Sequence, residues 1–266
     1  MKNLNLEKIS GLPIEMTEDY RLKFCPPLME ITPALRKFME TKHVTMESLN
    51  KSDEEELYYM YRDIYLPEDK DFIRKNHIRY DITVIPPIKL GMEFNKTVGH
   101  YHPIIPGKEV AYPELYEVLH GEGLFLIQKM DRDYKNLLNI LAIRASTGQK
   151  VIYPPNYGHV IVNIGTDVLI TANWVSDQFH ESLYEPVREK HGMAYYVVES
   201  QKRQFDLVPN PNYISHPPIR TISTFDPDLG FLNNEPMYKT GMKYPDRLEF
   251  LNRPEKYAIQ LSSVSS

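Results

Sequence analysis

From Tyr80 the chain alternates, with Tyr80, Ile82 and Val84 on one side and Asp81, Thr83 and Ile85 on the other. A period of two with one partly polar face predicts a β-strand, ended here by Pro86-Pro87. Short runs of the same kind recur at Leu115 to Val118, Leu124 to Gln128, Asn139 to Ala145, Gln149 to Tyr153, Val160 to Asn163, Val168 to Val175 and Ala194 to Glu199. Turn residues separate them: His120-Gly121-Glu122-Gly123, Ser146-Thr147-Gly148 and Gly165-Thr166-Asp167. No helix alternates with these strands, so the pattern predicts an all-β domain, an antiparallel sandwich or barrel.

The two ends read differently. Pro13, Pro26 and Pro27 break any long helix in a lead-in of about thirty residues. Thr32-Pro33 then sets a cap before a proline at the first helical position, and Leu35, Phe38 and Met39 follow at helical spacing. Ser52 with Glu55 has the form of a capping box, with Leu57, Met60 and Tyr61 as a core-facing set, and predicts a second helix. The expected organisation is an N-terminal helical extension over 1–76, a β-domain over 77–204 and an irregular C-terminal arm over 205–266. Pro209, Pro211, Pro217 and Pro218 mark that arm, which is expected to pack on the domain or on a partner subunit.

Composition narrows the field of functions. With 42% hydrophobic and 25% charged residues, the 266-residue chain is an ordinary globular one rather than a disordered, collagenous or coiled-coil one. A net charge of −5 offers no basic excess for a phosphate backbone, so no nucleic-acid partner is expected. No apolar run reaches a membrane span and the first residues lack a signal-peptide core, so the expectation is a soluble cytoplasmic protein with no membrane partner. Cys25 is the single cysteine, which excludes an internal disulfide and any cysteine-rich metal site.

The candidate chemistry lies among the histidines. His100 and His102 form the one His-x-His pair of the chain. On a strand, residues i and i+2 share a face, so both imidazoles can address one point, and neutral imidazole is a good ligand for a divalent metal. Glu114, at the head of the next strand, can complete a facial set, and His159 is a fourth candidate.

The spacing around these residues resembles the two halves of the cupin signature. In the second half Gly148, Pro154, His159 and Asn163 fall in register, with Asn156 where glycine is usual. Asparagine tolerates a left-handed backbone, so the turn stays feasible. In the first half Gly121 lies six residues beyond Glu114, but eleven residues separate His102 from Glu114 where three or four are usual. The extra stretch, Pro103 to Pro113, is expected to form a loop at the mouth of the site.

Within that superfamily, Thr97-Val98-Gly99-His100-Tyr101-His102, then Glu114-Leu115-Tyr116, then Tyr153-Pro154-Pro155-Asn156 running to His159 and Asn163-Ile164-Gly165, resembles the cupin-type phosphoglucose isomerases of archaea and some bacteria. The likeness spans roughly residues 80 to 200. It implies a cupin double-stranded β-helix, or jelly roll, and interconversion of glucose 6-phosphate and fructose 6-phosphate.

It also implies one divalent metal per subunit at His100, His102, Glu114 and His159, with Fe(II) first and Mn(II), Zn(II) or Ni(II) as alternatives. Thr83, Thr97, Gly99, Tyr116 and Tyr184 match the family's substrate contacts. Glu114 would move a proton, with Tyr116 orienting the substrate or relaying that proton; a metal-assisted hydride shift would use the same residues. A small sugar phosphate as partner and a homodimer are expected. Two other readings use a similar site: a non-haem iron dioxygenase, and a non-catalytic cupin that binds sugar phosphate. Lys89, Lys96, Lys108, Arg132 and Arg144 are expected to be solvated or salt-bridged, and His43, His77 and His216 to lie at the surface.

Overall fold

All eight strands expected between Tyr80 and Glu199 are present in the computed structural model, which describes residues 3–201, 204–222 and 229–262. Seven of them enter two facing sheets, and the eighth, Tyr195–Glu199, lies in a separate sheet beside Phe205–Pro209. One facing sheet has six strands in the order Lys150–Tyr153, Glu114–His120, Leu169–Ser176, Ile78–Ile85, Glu56–Tyr61, Ala34–Lys37, all antiparallel. The other has the order Tyr157–Asn163, Glu122–Met130, Leu137–Ser146, Arg220–Ile222, with only the last pairing parallel. The chain passes back and forth between the sheets, with Glu122–Met130 and Leu137–Ser146 left as a hairpin in one of them, and the result is the jelly roll that the family resemblance implies.

Side-chain alternation sorts each strand between two cores. Ile85, Val118, Phe125, Ile127, Leu141, Ile143, Val151, Ile161 and Leu169 point inward and close one end of the barrel. Tyr80, Ile82, Val84, Leu115, Ile152, Ala172 and Trp174 point outward, into a second core roofed by Leu6, Leu12 and Ile14 from the start of the chain and by Tyr238, Phe250 and Leu251 from its later part. On the four-stranded sheet, Leu124, Leu126, Ile140 and Val160 face a third core capped by Phe94, Val187, Met193 and Val197. Sheets covered on both faces explain why Tyr157–Asn163 and Leu169–Ser176 are buried throughout.

The ends of the chain depart from expectation. In place of the first helix, Ala34–Lys37 is an edge strand that pairs Arg36 with Tyr58, and a single helical turn, Phe38–Thr41, follows it. In place of the second, Glu56–Tyr61 is a strand. The Ser52 to Glu55 pattern closes only a turn, with the Glu54 amide donating to Ser52 Oγ at 3.2 Å and the Glu55 amide to Ser52 O at 3.0 Å. The helical extension over 1–76 therefore holds strands and three- to six-residue helices, the longest being Lys70–Lys75.

The arm is also more regular than expected. Phe205–Pro209 pairs with Tyr195–Glu199, and Met237–Lys243 is a helix. Residues 223–228, within that arm, lie outside the described residues. No helix among the described residues is long and apolar enough to cross a membrane.

Candidate functional site

Beyond the apolar plug, the inward face of the six-stranded sheet turns polar. Arg79, Asp81 and Thr83 alternate along one strand, Asn173 stands opposite Asp81 and Tyr116 on the next, and Glu114 opens the third. From the facing sheet His159 projects into the same space, within a strand that pairs with the His100 segment. His100 and His102 lie on an extended segment held by isolated bridges rather than on a named strand, His100 to His159 and Tyr101 to Leu183. The His100 amide donates to His159 O at 3.1 Å and the His159 amide to His100 O at 2.9 Å, so backbone pairing sets one imidazole against another.

Gly99, at φ +82°, turns the chain from the Thr97 pairing into this bridge. A Cβ there would meet Met193 Sδ at 3.3 Å and His159 O at 3.4 Å. The Pro103 to Pro113 stretch forms a loop closed by an Ile104–Ala111 bridge, and the Ala111 amide donates to Asn156 Oδ1 at 2.8 Å. Asn156 has the left-handed backbone expected of it, φ +68°.

One donor atom from each of His100, His102, Glu114 and His159 lies within 4.8 Å of all the others. Glu114 Oε2 is 3.4 Å from both His102 Nε2 and His159 Nε2. Neighbours aim these groups. His102 Nδ1 faces Tyr112 O at 2.9 Å, which turns Nε2 to the centre. Asn173 Nδ2 donates to Glu114 Oε1 at 2.6 Å, which leaves Oε2 for the cluster. Tyr153 stacks on the His159 ring with centroids 3.8 Å apart and planes at 13°.

Burial keeps the imidazoles neutral: it pushes His102 down to about 4, and His100 and His159 well below their ordinary value. Burial likewise pushes the Glu114 carboxyl up to about 8. Glu114 Oε2 and His159 Nε2 are buried with no hydrogen-bond partner among the described residues. Such atoms are costly unless something binds them, and three neutral imidazoles with one carboxylate suit Fe(II), Mn(II), Zn(II) or Ni(II). The residues therefore fit a divalent metal.

Thr83, Thr97, Tyr116 and Tyr184 line the same cavity as the four donors. Tyr184 lies with its ring centroid 5.3 Å from that of His100, and its hydroxyl accepts from Arg36 Nη2 at 3.4 Å. Tyr116 stands two residues beyond Glu114 on the same strand, on the same face of the sheet. His180 and His191 are exposed and contribute nothing to the cavity wall.

The five basic residues expected to be solvated or paired are all paired. Lys89 meets Glu199 at 3.2 Å, Lys108 meets Glu255 at 2.7 Å and Arg132 meets Glu109 at 3.2 Å, while Lys96 pairs with Glu93 and Arg144 with Glu122. Sequence reading missed Arg62, Arg79, Asp81, Asn173 and Phe179 in the cavity wall. Arg79 and Asp81 carried a signal, because the polar face of a strand otherwise buried on both sides has to face an internal site. Arg62, just beyond a strand taken for a helix, carried none.

Fold and site together define a cupin-type jelly roll with a three-histidine, one-glutamate donor set at the polar end of its barrel. Residues 35–213 match the family model described as "Glucose-6-phosphate isomerase (GPI)", and the chain belongs to that family. The glucose-6-phosphate isomerase of Pyrococcus furiosus is 30% identical over 152 residues, which are 57% of this chain and 71% of that protein. That of Pyrococcus abyssi is 26% identical over 208 residues, 76% of this chain and 98% of the relative. Among solved structures, oxalate decarboxylase from Bacillus subtilis gives a TM-score of 0.34 at 16% identity, covering 48% of this chain and 27% of that one.

Proposed function

We propose that the protein interconverts glucose 6-phosphate and fructose 6-phosphate at one divalent metal, Fe(II) in preference to Mn(II), Zn(II) or Ni(II). The observation that carries this reading is the convergence of His100, His102, Glu114 and His159, with Glu114 Oε2 and His159 Nε2 left without other partners, in a chain of the glucose-6-phosphate isomerase family.

Isomerisation moves hydrogen between C1 and C2 and builds negative charge on the two flanking oxygens. His100, His102, Glu114 and His159 would hold the ion, which when bound supplies Lewis-acid stabilisation of those oxygens. Glu114 takes the proton from one carbon and returns it to the other, with Asn173 fixing its Oε1. Tyr116, beside Glu114 and deep in the wall, orients the sugar or passes the proton. Thr83, Thr97, Gly99 and Tyr184 bind the sugar phosphate.

Hydride transfer between the carbons would use the same residues. Turnover in heavy water separates the routes, since a carboxylate relay brings solvent deuterium into the product and a hydride shift does not. A cytoplasmic homodimer belongs to this reading, supported by the single cysteine and by the exposed Ala34–Lys37 edge strand, which pairing would cover.

The test is a coupled assay on metal-stripped protein refilled anaerobically with each metal. Fructose 6-phosphate is supplied and glucose 6-phosphate is followed through its dehydrogenase, with His102→Ala as control. Metal-dependent turnover that His102→Ala abolishes is the expected result. Protein that binds metal and turns over nothing refutes the reading.

A further inference from the structure

The hydroxyls at the cavity wall, Thr83, Thr97 and Tyr184, can donate hydrogen bonds to a phosphate but bring no charge. A phosphate monoester carries about −1.5 to −2 near neutral pH, and moving it out of water without a cation is expensive. Four arginines lie near enough to matter, and three are already committed. Arg188, over the Tyr184 ring, pairs with Glu185 at 3.4 Å. Arg79 grips Asp81, with Nε at 2.9 Å from Oδ1 and Nη2 at 2.9 Å from Oδ2. Arg36 reaches Glu40 at 2.5 Å and stands behind the Tyr184 hydroxyl.

Arg62 differs from these three. It follows the Glu56–Tyr61 strand, lines the cavity beside Met60 and is exposed at its mouth. Met60 stands opposite Thr83 in the strand register, which brings Arg62 to the hydroxyl-bearing side of the cavity. Its guanidinium meets the Met60 thioether, Nη2 to Sδ at 3.7 Å, and pairs with no carboxylate among the described residues. The acids around it are taken: Asp81 by Arg79, and the adjacent Asp63 by Arg74, with Nη1 to Oδ1 at 2.9 Å.

We propose that Arg62 is the specificity residue that reads the substrate's phosphate charge, an inference that rests on the sugar-phosphate reading above. An unpaired arginine at the mouth of a cavity binds an oxyanion through two parallel N–H bonds at little cost, since no ion pair has to break first. It also draws anions towards the opening.

The test compares wild type with Arg62→Gln and Arg62→Lys by steady-state isomerase kinetics at low and moderate salt, and by calorimetric titration with inorganic phosphate. Arg62 is exposed and unpaired, so both variants keep the fold. Arg62→Gln is expected to raise KM for fructose 6-phosphate about tenfold with kcat within about twofold, and to flatten the rise of KM with ionic strength. Arg62→Lys should fall between the two.

An unchanged KM and an unchanged phosphate titration in Arg62→Gln would overturn the proposal, as would a loss confined to kcat. Wild-type protein that turns over no hexose phosphate would refute the isomerase reading instead. Titration with phosphate would then still decide the role of Arg62: binding lost in Arg62→Gln keeps it as an anion anchor, and binding retained, or absent from wild type, removes it.

Discussion

Replacing Lys150 by methionine tests how the later part of the chain is fastened to the barrel. Lys150 and Glu117 face each other across adjacent strands on the outer side of the six-stranded sheet, their side chains 4% and 0% exposed. Lys150 Nζ donates to Glu117 Oε1 at 3.0 Å, to Leu232 O at 2.6 Å and to Glu235 O at 2.8 Å, while the Met237 amide donates to Glu117 Oε2 at 2.9 Å. One buried cation thus ties two strands to the 232–237 segment. Burial raises the Glu117 carboxyl from its ordinary 4.5 to about 7, with Lys150 opposing the rise.

A carboxyl raised in the folded state binds its proton more tightly there than in the unfolded chain. Its contribution to stability is present below about 4.5 and is lost as pH climbs through about 7. Lys150→Met removes the group that holds this carboxyl down, so the cost of the substitution should grow with pH. At pH 8, where the variant must bury an unpaired carboxylate, it is about 3–5 kcal/mol. At pH 5 the carboxyl is neutral and the cost is that of two stranded carbonyls, about 1–3 kcal/mol. For a chain of this size each kcal/mol shifts Tm by roughly 2–4 °C, so the fall at pH 8 is about 10 °C.

Trp174 is the single tryptophan; its indole Nε1 donates to Met237 O at 3.3 Å and its ring stacks on Tyr238, so its emission reports docking of this segment. Melting followed by Trp174 emission at both pH values, with Glu117→Leu/Lys150→Met as the variant that removes both charges, is the assay. A Tm loss equal at pH 5 and pH 8, or below about 2 °C at pH 8, would refute the reasoning.

Asn173→Leu frees Glu114 Oε1 while leaving the barrel core intact, and should weaken metal binding about 10–100-fold in a competition titration, with far-ultraviolet circular dichroism unchanged. Metal itself should stabilise the fold: at a free concentration a thousand times its Kd the gain is about 4 kcal/mol, visible as a lower Tm after chelation, and no such shift is expected in His102→Ala. Asn156→Gly keeps the left-handed backbone but cuts the bond to Ala111, so it should loosen the Pro103 to Pro113 loop, seen as faster amide exchange at Ala111, with little change in Tm. Asn156→Val at the same φ should cost about 1–2 kcal/mol or more in a denaturant titration.

The barrel was legible because its strands are short, bounded by turns and punctuated by glycines whose backbone the turns require. Gly121 is one such position, at φ +83° with its missing Cβ only 2.4 Å from Val168 O. The donor set was legible because strand period two and the motif spacing both pointed at His100, His102, Glu114 and His159. The strands before Ile78 were not. Leu35 and Met39 stand at helical spacing yet are 37% and 47% exposed, so that spacing marks no buried face. In Glu56–Tyr61, Leu57 and Tyr58 enter the barrel core while Tyr59 and Tyr61 enter the outer one, and a strand buried on both sides loses its alternation. Arg62 was hidden for the same reason, since its place in the cavity depends on the register of that strand.

The roof over Trp174 and Tyr80 draws Leu6, Leu12 and Ile14 together with Phe250, Leu251 and Leu261, residues from opposite ends of the described chain in one apolar cluster. On the ribosome the sheet beneath it is translated long before that roof is complete. Its outward face, Tyr80, Ile82, Ala172 and Trp174, can be only partly covered, by Leu6, Leu12 and Ile14, until residues near 250 have emerged, and such an interval is when nascent β-proteins stick to one another. The roof can close only once both ends of the described chain are present, so slow translation before residue 250 should favour capture of the half-roofed barrel by chaperones.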